Sequence, residues 1–144
     1  MSLEANKAII RQAVDEVINQ KVLGAIDELF APDYVDHSSM AGEDQGREGF
    51  KQFAQVLFDA FPDFQVTIED MLAEGDKVMY RGTVSGTHTG EFMGAHPSGK
   101  RFEVTEMHVD RIAEGKIVEH WGLLDIMGML QQIGIIHEPE EVEG

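Results

Sequence analysis

Residues 75–125 read GDKVMYRGTVSGTHTGEFMGAHPSGKRFEVTEMHVDRIAEGKIVEHWGLLD, and this stretch decides the fold. It contains three strand-like runs, over 77–88, 101–112 and 116–124. The first two are joined by a loop over 89–99 that holds three glycines and Pro97. The last two meet at Ala113-Glu114-Gly115, a tight hairpin turn. Side chains alternate across a strand, so Val104, Glu106, His108 and Asp110 share one face. Met79, Met107 and Val109 belong to the other. A face that mixes apolar groups with an acid and a histidine is either a pocket floor or an exposed surface. On the last run, Trp121 goes with Glu119, Leu123 and Asp125, while His120 goes with Val118, Gly122 and Leu124. At most one of these sets lines a pocket, and a bulge would upset the count.

Upstream the periodicity is helical. Ile9, Ile10, Ala13, Val14, Val17 and Ile18 form the apolar stripe of a helix over 4–20. A short helix is predicted over 22–30, ended by Pro32, and an extended segment over 33–38. Phe50, Phe53, Ala54, Leu57, Phe58 and Phe61 mark a third helix over 47–61, stopped by Pro62. A strand follows, marked by Phe64, Val66, Ile68 and Met71. A last helix covers 126–133, with Gly134 as its cap. Helices followed by a strand meander imply an α+β layer fold. One domain is expected over 1–137, with a solvated acidic tail over 138–144 that carries Glu138, Glu140, Glu141 and Glu143.

The chain has 144 residues, 11 basic and 27 acidic, for a net charge of −16. Such an acid excess repels phosphate backbones and anionic lipids, so neither nucleic acid nor membrane is an expected partner. No apolar run approaches the ~20 residues that span a bilayer. No basic-then-apolar leader is visible, and there are no cysteines. Both features fit a cytoplasmic chain. His88 and His96 flank the glycine-rich loop at a spacing that suits no compact metal site, so no metal is expected.

Four motifs carry a resemblance: FPD at 61–63, SGTHTG at 85–90, PSGK at 97–100 and GKIVEHW at 115–121. With the MLQQIG ending at 129–134, the chain resembles the SnoaL-like polyketide cyclases over nearly its whole length. The resemblance implies a nuclear-transport-factor-2-like cone: a curved antiparallel or mixed sheet of about four to six strands wrapped on three N-terminal helices, with a cavity between them. It implies cofactor-free acid/base chemistry on a small hydrophobic carbonyl compound, such as intramolecular aldol closure, and a homodimer that pairs the outer sheet face. The family pattern puts a polar residue and a histidine two apart in the third long strand, here Glu106 and His108. It puts an aspartate just after the strand tryptophan, where this chain has Gly122.

A histidine side chain titrates near neutrality, so a residue of the type at His108 can move a proton or donate to an oxyanion. A carboxylate desolvated in an apolar cone becomes a stronger base, which suits Glu106, or Glu106 orients His108. Asp125 replaces the missing acid only if the strand bends or ends there. Tyr80, Trp121 and His37 are candidate substrate contacts, with Phe92 and Met93 as the apolar cap of a lid. The alternative to a catalyst is a binding or dimerisation domain of the same fold, which the glycine at 122 favours. Epoxide hydrolysis would need an arginine between carboxylates in the pocket, but Asp110 and Arg111 are adjacent and face opposite ways.

Overall fold

A computed structural model describes residues 2–38 and 44–136, so the tail predicted over 138–144 lies outside the described residues. The apolar stripe near the N-terminus forms α1 (Leu3–Ala13), started by Ser2, whose hydroxyl accepts from the Ala5 N–H at 3.0 Å. The helix continues through wider π turns over Val14–Asn19. α2 is short (Ala25–Leu29), and the chain is already extended at Phe30, which opens β1 (Phe30–Asp36). Pro32 therefore sits inside a strand and does not end the helix. It is tolerated because β1 is an edge strand. α3 (Arg47–Ala60) then precedes four strands: β2 (Gln65–Glu74), β3 (Lys77–Thr87), β4 (Arg101–Ala113) and β5 (Lys116–Leu124). α4 (Ile126–Gln132) closes the described chain, and Gly134 follows at φ 85°.

The five strands lie in the order β1-β5-β4-β3-β2. Pairing is antiparallel throughout the meander, while β1 joins β5 in parallel, so the sheet is mixed and open. The helices cover its concave face. Phe61 and Phe102 are both fully buried in the core, with ring centroids 5.0 Å apart in an edge-to-face contact. Among the described residues, no helix is long and apolar enough to cross a membrane.

Where the π turns end, Asn19 ties the helix layer to the sheet. Its amide donates to Val66 O at 3.0 Å and accepts from Val66 N at 2.8 Å, which closes the backbone groups of an edge strand. Asn19→Leu should leave both Val66 groups unpaired at a partly buried site and cost about 1–3 kcal/mol. A lowered urea midpoint at unchanged slope is the expected readout, and an unchanged midpoint would refute the tie.

Candidate active site

Cross-strand register assembles the polar cluster. On the concave face, β3, β4 and β5 supply three adjacent rows: Val78–Asp110–His120, Tyr80–His108–Gly122 and Gly82–Glu106–Leu124. Asp36 of β1 extends the first row beside His120. Each of the other two rows lacks a side chain at one position, and a larger neighbour fills the gap. Glu106 leans over Gly82, where an added methyl would lie 3.3 Å from Glu106 Oε1. His108 leans over Gly122.

These rows floor a cavity of about 160 Å³. Its helix side is apolar: Val14, Val17, Phe50, Phe53, Leu57 and Phe58 are typical of it. The π turns at the end of α1 carry Val14 and Val17 to the wall. The sheet side holds the polar groups Tyr34, Asp36, Tyr80, Glu106, His108, Asp110 and His120. One wall is thus suited to a hydrophobic skeleton and the other to its oxygen-bearing edge.

The polar groups form a chain. The Tyr80 hydroxyl lies 3.4 Å from Glu106 Oε1 and donates to it, at the long end of the hydrogen-bond range. Glu106 Oε2 lies 2.7 Å from His108 Nε2. No aligned hydrogen bond forms at this short contact, and Nε2 keeps unused donor capacity. His108 Nδ1 and His120 Nε2 are 2.9 Å apart, and His120 Nδ1 is 2.6 Å from Asp110 Oδ1. The Tyr80 ring stacks on His108 at 4.9 Å, which fixes the imidazole plane. Glu106 and Asp110 are only 8 % and 4 % exposed. Carboxylates this dry persist because each faces an imidazole.

Burial pushes the Tyr80 hydroxyl well above its ordinary value, and the charges of Glu106 and Asp110 add to this, so Tyr80 stays a donor at neutral pH. For His120, burial pulls the imidazole down. The charge and hydrogen bond of Asp110, with Asp36 and Glu106 behind them, more than reverse this and raise it to about 8. Among the described residues, no three His, Asp or Glu side chains converge on a point that could hold a metal ion.

Of the residues singled out in the sequence, Tyr80, Glu106 and His108 come together at the cavity. The others lie elsewhere. Trp121 is on the convex face, stacked on His37 with ring centroids 4.9 Å apart. Glu119 joins them there, bonded to His37 Nε2 at 2.9 Å and to Arg111 Nε at 2.6 Å. The strand does end at Leu124, but Asp125 does not line the cavity: it caps α4, its carboxylate accepting from the Gly128 N–H at 2.9 Å. Phe92 does not cap the cavity but packs edge-on against Phe61 at 5.2 Å, and Met93 points to solvent. Their loop is pinned, because Thr89 and Gly90 N–H both donate to Ala60 O and buried His88 accepts from Ser98 N–H. His120, Asp110 and Asp36 were the unselected members of the site. Alternation already put Asp110 on the face of His108, and His120 with Gly122. The missing signal was the register that brings the two strands face to face.

The raised His120 pKa makes stability depend on pH. Its contribution is complete below pH 6.5 and is lost as pH rises through about 8. The gap between these values corresponds to about 2 kcal/mol. Wild-type protein should lose up to about that much more unfolding free energy than His120→Gln between pH 6 and pH 9 in urea titrations. The His120 ring should titrate near 8 by NMR, and a midpoint at or below 6.5 would contradict the ion pair.

The sequence profile of the SnoaL-like polyketide cyclases matches residues 8–133. Nogalonic acid methyl ester cyclase of Streptomyces nogalater is 30 % identical over 112 residues, spanning 76 % of this chain and 83 % of the relative. Aklanonic acid methyl ester cyclase DnrD of Streptomyces peucetius is 29 % identical over 109 residues, 74 % of this chain and 72 % of the relative. Among solved structures, IdmH of Streptomyces antibioticus, a proposed polyketide cyclase, superimposes with a TM-score of 0.81 at 36 % identity, covering 90 % of this chain and 98 % of its own. AclR of Streptomyces galilaeus, a proposed hydroxylase, does so with a TM-score of 0.86 at 30 % identity, covering 98 % and 88 %. With its profile match over residues 8–133, the chain belongs to the SnoaL-like polyketide cyclase family.

Proposed function

We propose that this protein is a cofactor-independent acid/base catalyst that closes a ring in a polyketide-derived carbonyl compound by intramolecular aldol reaction. The observation that carries the reading is Glu106, a carboxylate 8 % exposed that faces an apolar wall between two donors, Tyr80 and His108. Glu106 takes a proton from the carbon next to a carbonyl. The enolate oxygen is held by the Tyr80 hydroxyl, which stays protonated at neutral pH. The enolate carbon then forms a bond to a second carbonyl carbon, and the alkoxide so made takes the proton back from Glu106. The relatives named as cyclases of polyketide methyl esters support this class of substrate. The apolar helix wall supports a flat, hydrophobic skeleton.

The test is turnover of methyl-ester polyketide substrates of the kind those cyclases are named for. Glu106→Gln keeps the shape and should lower kcat by ~10²–10⁴-fold. His108→Ala should lower it too. Unchanged turnover in Glu106→Gln removes that residue from the mechanism. Ligand binding with no turnover by the wild type turns the reading to a binding domain.

The convex face supports a second proposal, a homodimer. Register aligns Leu72, Met79, Val109 and Trp121 in one row and Arg81, Met107 and Leu123 in the next. Leu72 is 68 % exposed and Leu123 73 %, and Met79, Met107 and Trp121 are exposed beside them. An apolar patch spread over four strands is unusual for a monomer surface. Sedimentation equilibrium should find a dimer at micromolar concentration, and Leu123→Glu should shift it to monomer. A wild-type monomer would count against the proposal.

A further inference from the structure

Behind Glu106 two imidazoles are hydrogen-bonded to each other over a glycine, and the proposed chemistry so far gives the second ring no role. A bond between two rings needs one donor and one acceptor, so the four nitrogens of His108 and His120 do not protonate independently. Asp110 Oδ1, 2.6 Å away, requires a proton on His120 Nδ1. Glu106 Oε2, 2.7 Å from His108 Nε2, favours a proton there, because a bare lone pair would face a carboxylate. Neutral His108 then has an unprotonated Nδ1, which accepts from His120 Nε2. His120 carries protons on both nitrogens and is an imidazolium.

The groups around His120 agree with that charge. Asp110, Glu106 and His108 face it from β4, and Asp36 lies beside it on β1. Among the described residues, the cavity's other polar side chains are Ser38 and the Tyr34 and Tyr80 hydroxyls, the two tyrosines held neutral by burial first and nearby acids second. α1 and α3 contribute apolar side chains to the cavity among the described residues. The raised pKa of His120 is consistent with this arrangement.

We infer that Asp110 and His120 form a positioning dyad that locks His108 as its Nε2–H tautomer, and that Gly122 is the residue that makes the dyad possible. A methyl group at 122 would lie 2.5 Å from His108 Nδ1 and 2.7 Å from His120 Nε2, the two atoms of the bond. No side chain at 122 is compatible with that bond as it stands. The consequence for catalysis rests on Glu106 being the base. A locked Nε2–H leaves no lone pair facing Glu106, so the proton that Glu106 takes from carbon cannot pass to His108. It stays on the carboxyl until the alkoxide takes it.

The dyad is tested without substrate, by long-range proton–nitrogen NMR of the ¹⁵N-labelled protein at pH 6.5. His108 should show a protonated Nε2 and a bare Nδ1, and His120 two protonated nitrogens. In Gly122→Ala and His120→Leu the His108 nitrogens should shift to the average of both tautomers. His120→Gln, whose amide N–H can still donate to Nδ1, should restore the locked pattern, which a mere packing role would not predict. Asp110→Asn should bring the His120 midpoint down from about 8. Where Gly122→Ala does not fold, His120→Leu and its Gln rescue carry the test. A proton found on His108 Nδ1, or spectra of His108 unchanged in the folded variants, overturns the dyad. The outcome is separate from turnover: a locked His108 in a protein that turns nothing over would retain the dyad and reject Glu106 as a base. An unlocked His108 with Glu106→Gln inactive would do the reverse.

Discussion

The pairing of β4 with β5 contains one extra residue, and the cavity depends on it. Near the hairpin Ile112 pairs with Ile117, but one residue further Arg111 pairs with Glu119, so Val118 is the unpaired residue of a bulge. From there the register brings His120 opposite Asp110 and Gly122 opposite His108. Without the bulge the sheet would turn Glu119, Trp121 and Leu123 inward, because a shift of one residue reverses every side chain. The turn anchors this register. Glu114 and Gly115 both have positive φ, 51° and 77°, as the tight primed hairpin turn requires.

Two glycines then decide how the polar groups meet. Side chains on adjacent strands of one face normally stand side by side. Here Gly82 and Gly122 leave openings across the strands, and Glu106 and His108 tilt into them. That tilt brings a carboxylate, two imidazoles and a second carboxylate into contact within a nearly dry wall. The groups tolerate burial because they neutralise and hydrogen-bond one another, and the truncation of any one would strand its neighbour. The apolar helices opposite exclude water and strengthen each of these interactions.

Much of this was legible in the chain. The 3.6-residue stripes of α1 and α3 and the alternation in β3 and β4 announce an α+β layer fold, because both patterns are local. Glu106 and His108 were legible for the same reason, being two apart in one strand. Pro32 misled, because a proline that ends a helix and one that lies on a free sheet edge look alike in sequence. The parallel union of β1 with β5 was not legible, since it joins segments more than eighty residues apart. The aromatic pair of Trp121 and His37 followed from that union: with β1 beside β5, the two rings stack on the convex face, away from the cavity.

By itself, then, the sequence determined the elements, the two alternative faces of the last strand and the acid–histidine pair, all of which follow from periods of two or 3.6 residues along one segment. It also showed a glycine where the family pattern has an acid. Only the tertiary structure decided which face of β5 looks inward, that the space over the glycine is filled by two imidazoles, His108 from β4 and His120 from the same strand, and that Asp110 stands behind them. Those outcomes depend on a one-residue bulge and on contacts between strands, and neither leaves a periodic mark in the chain.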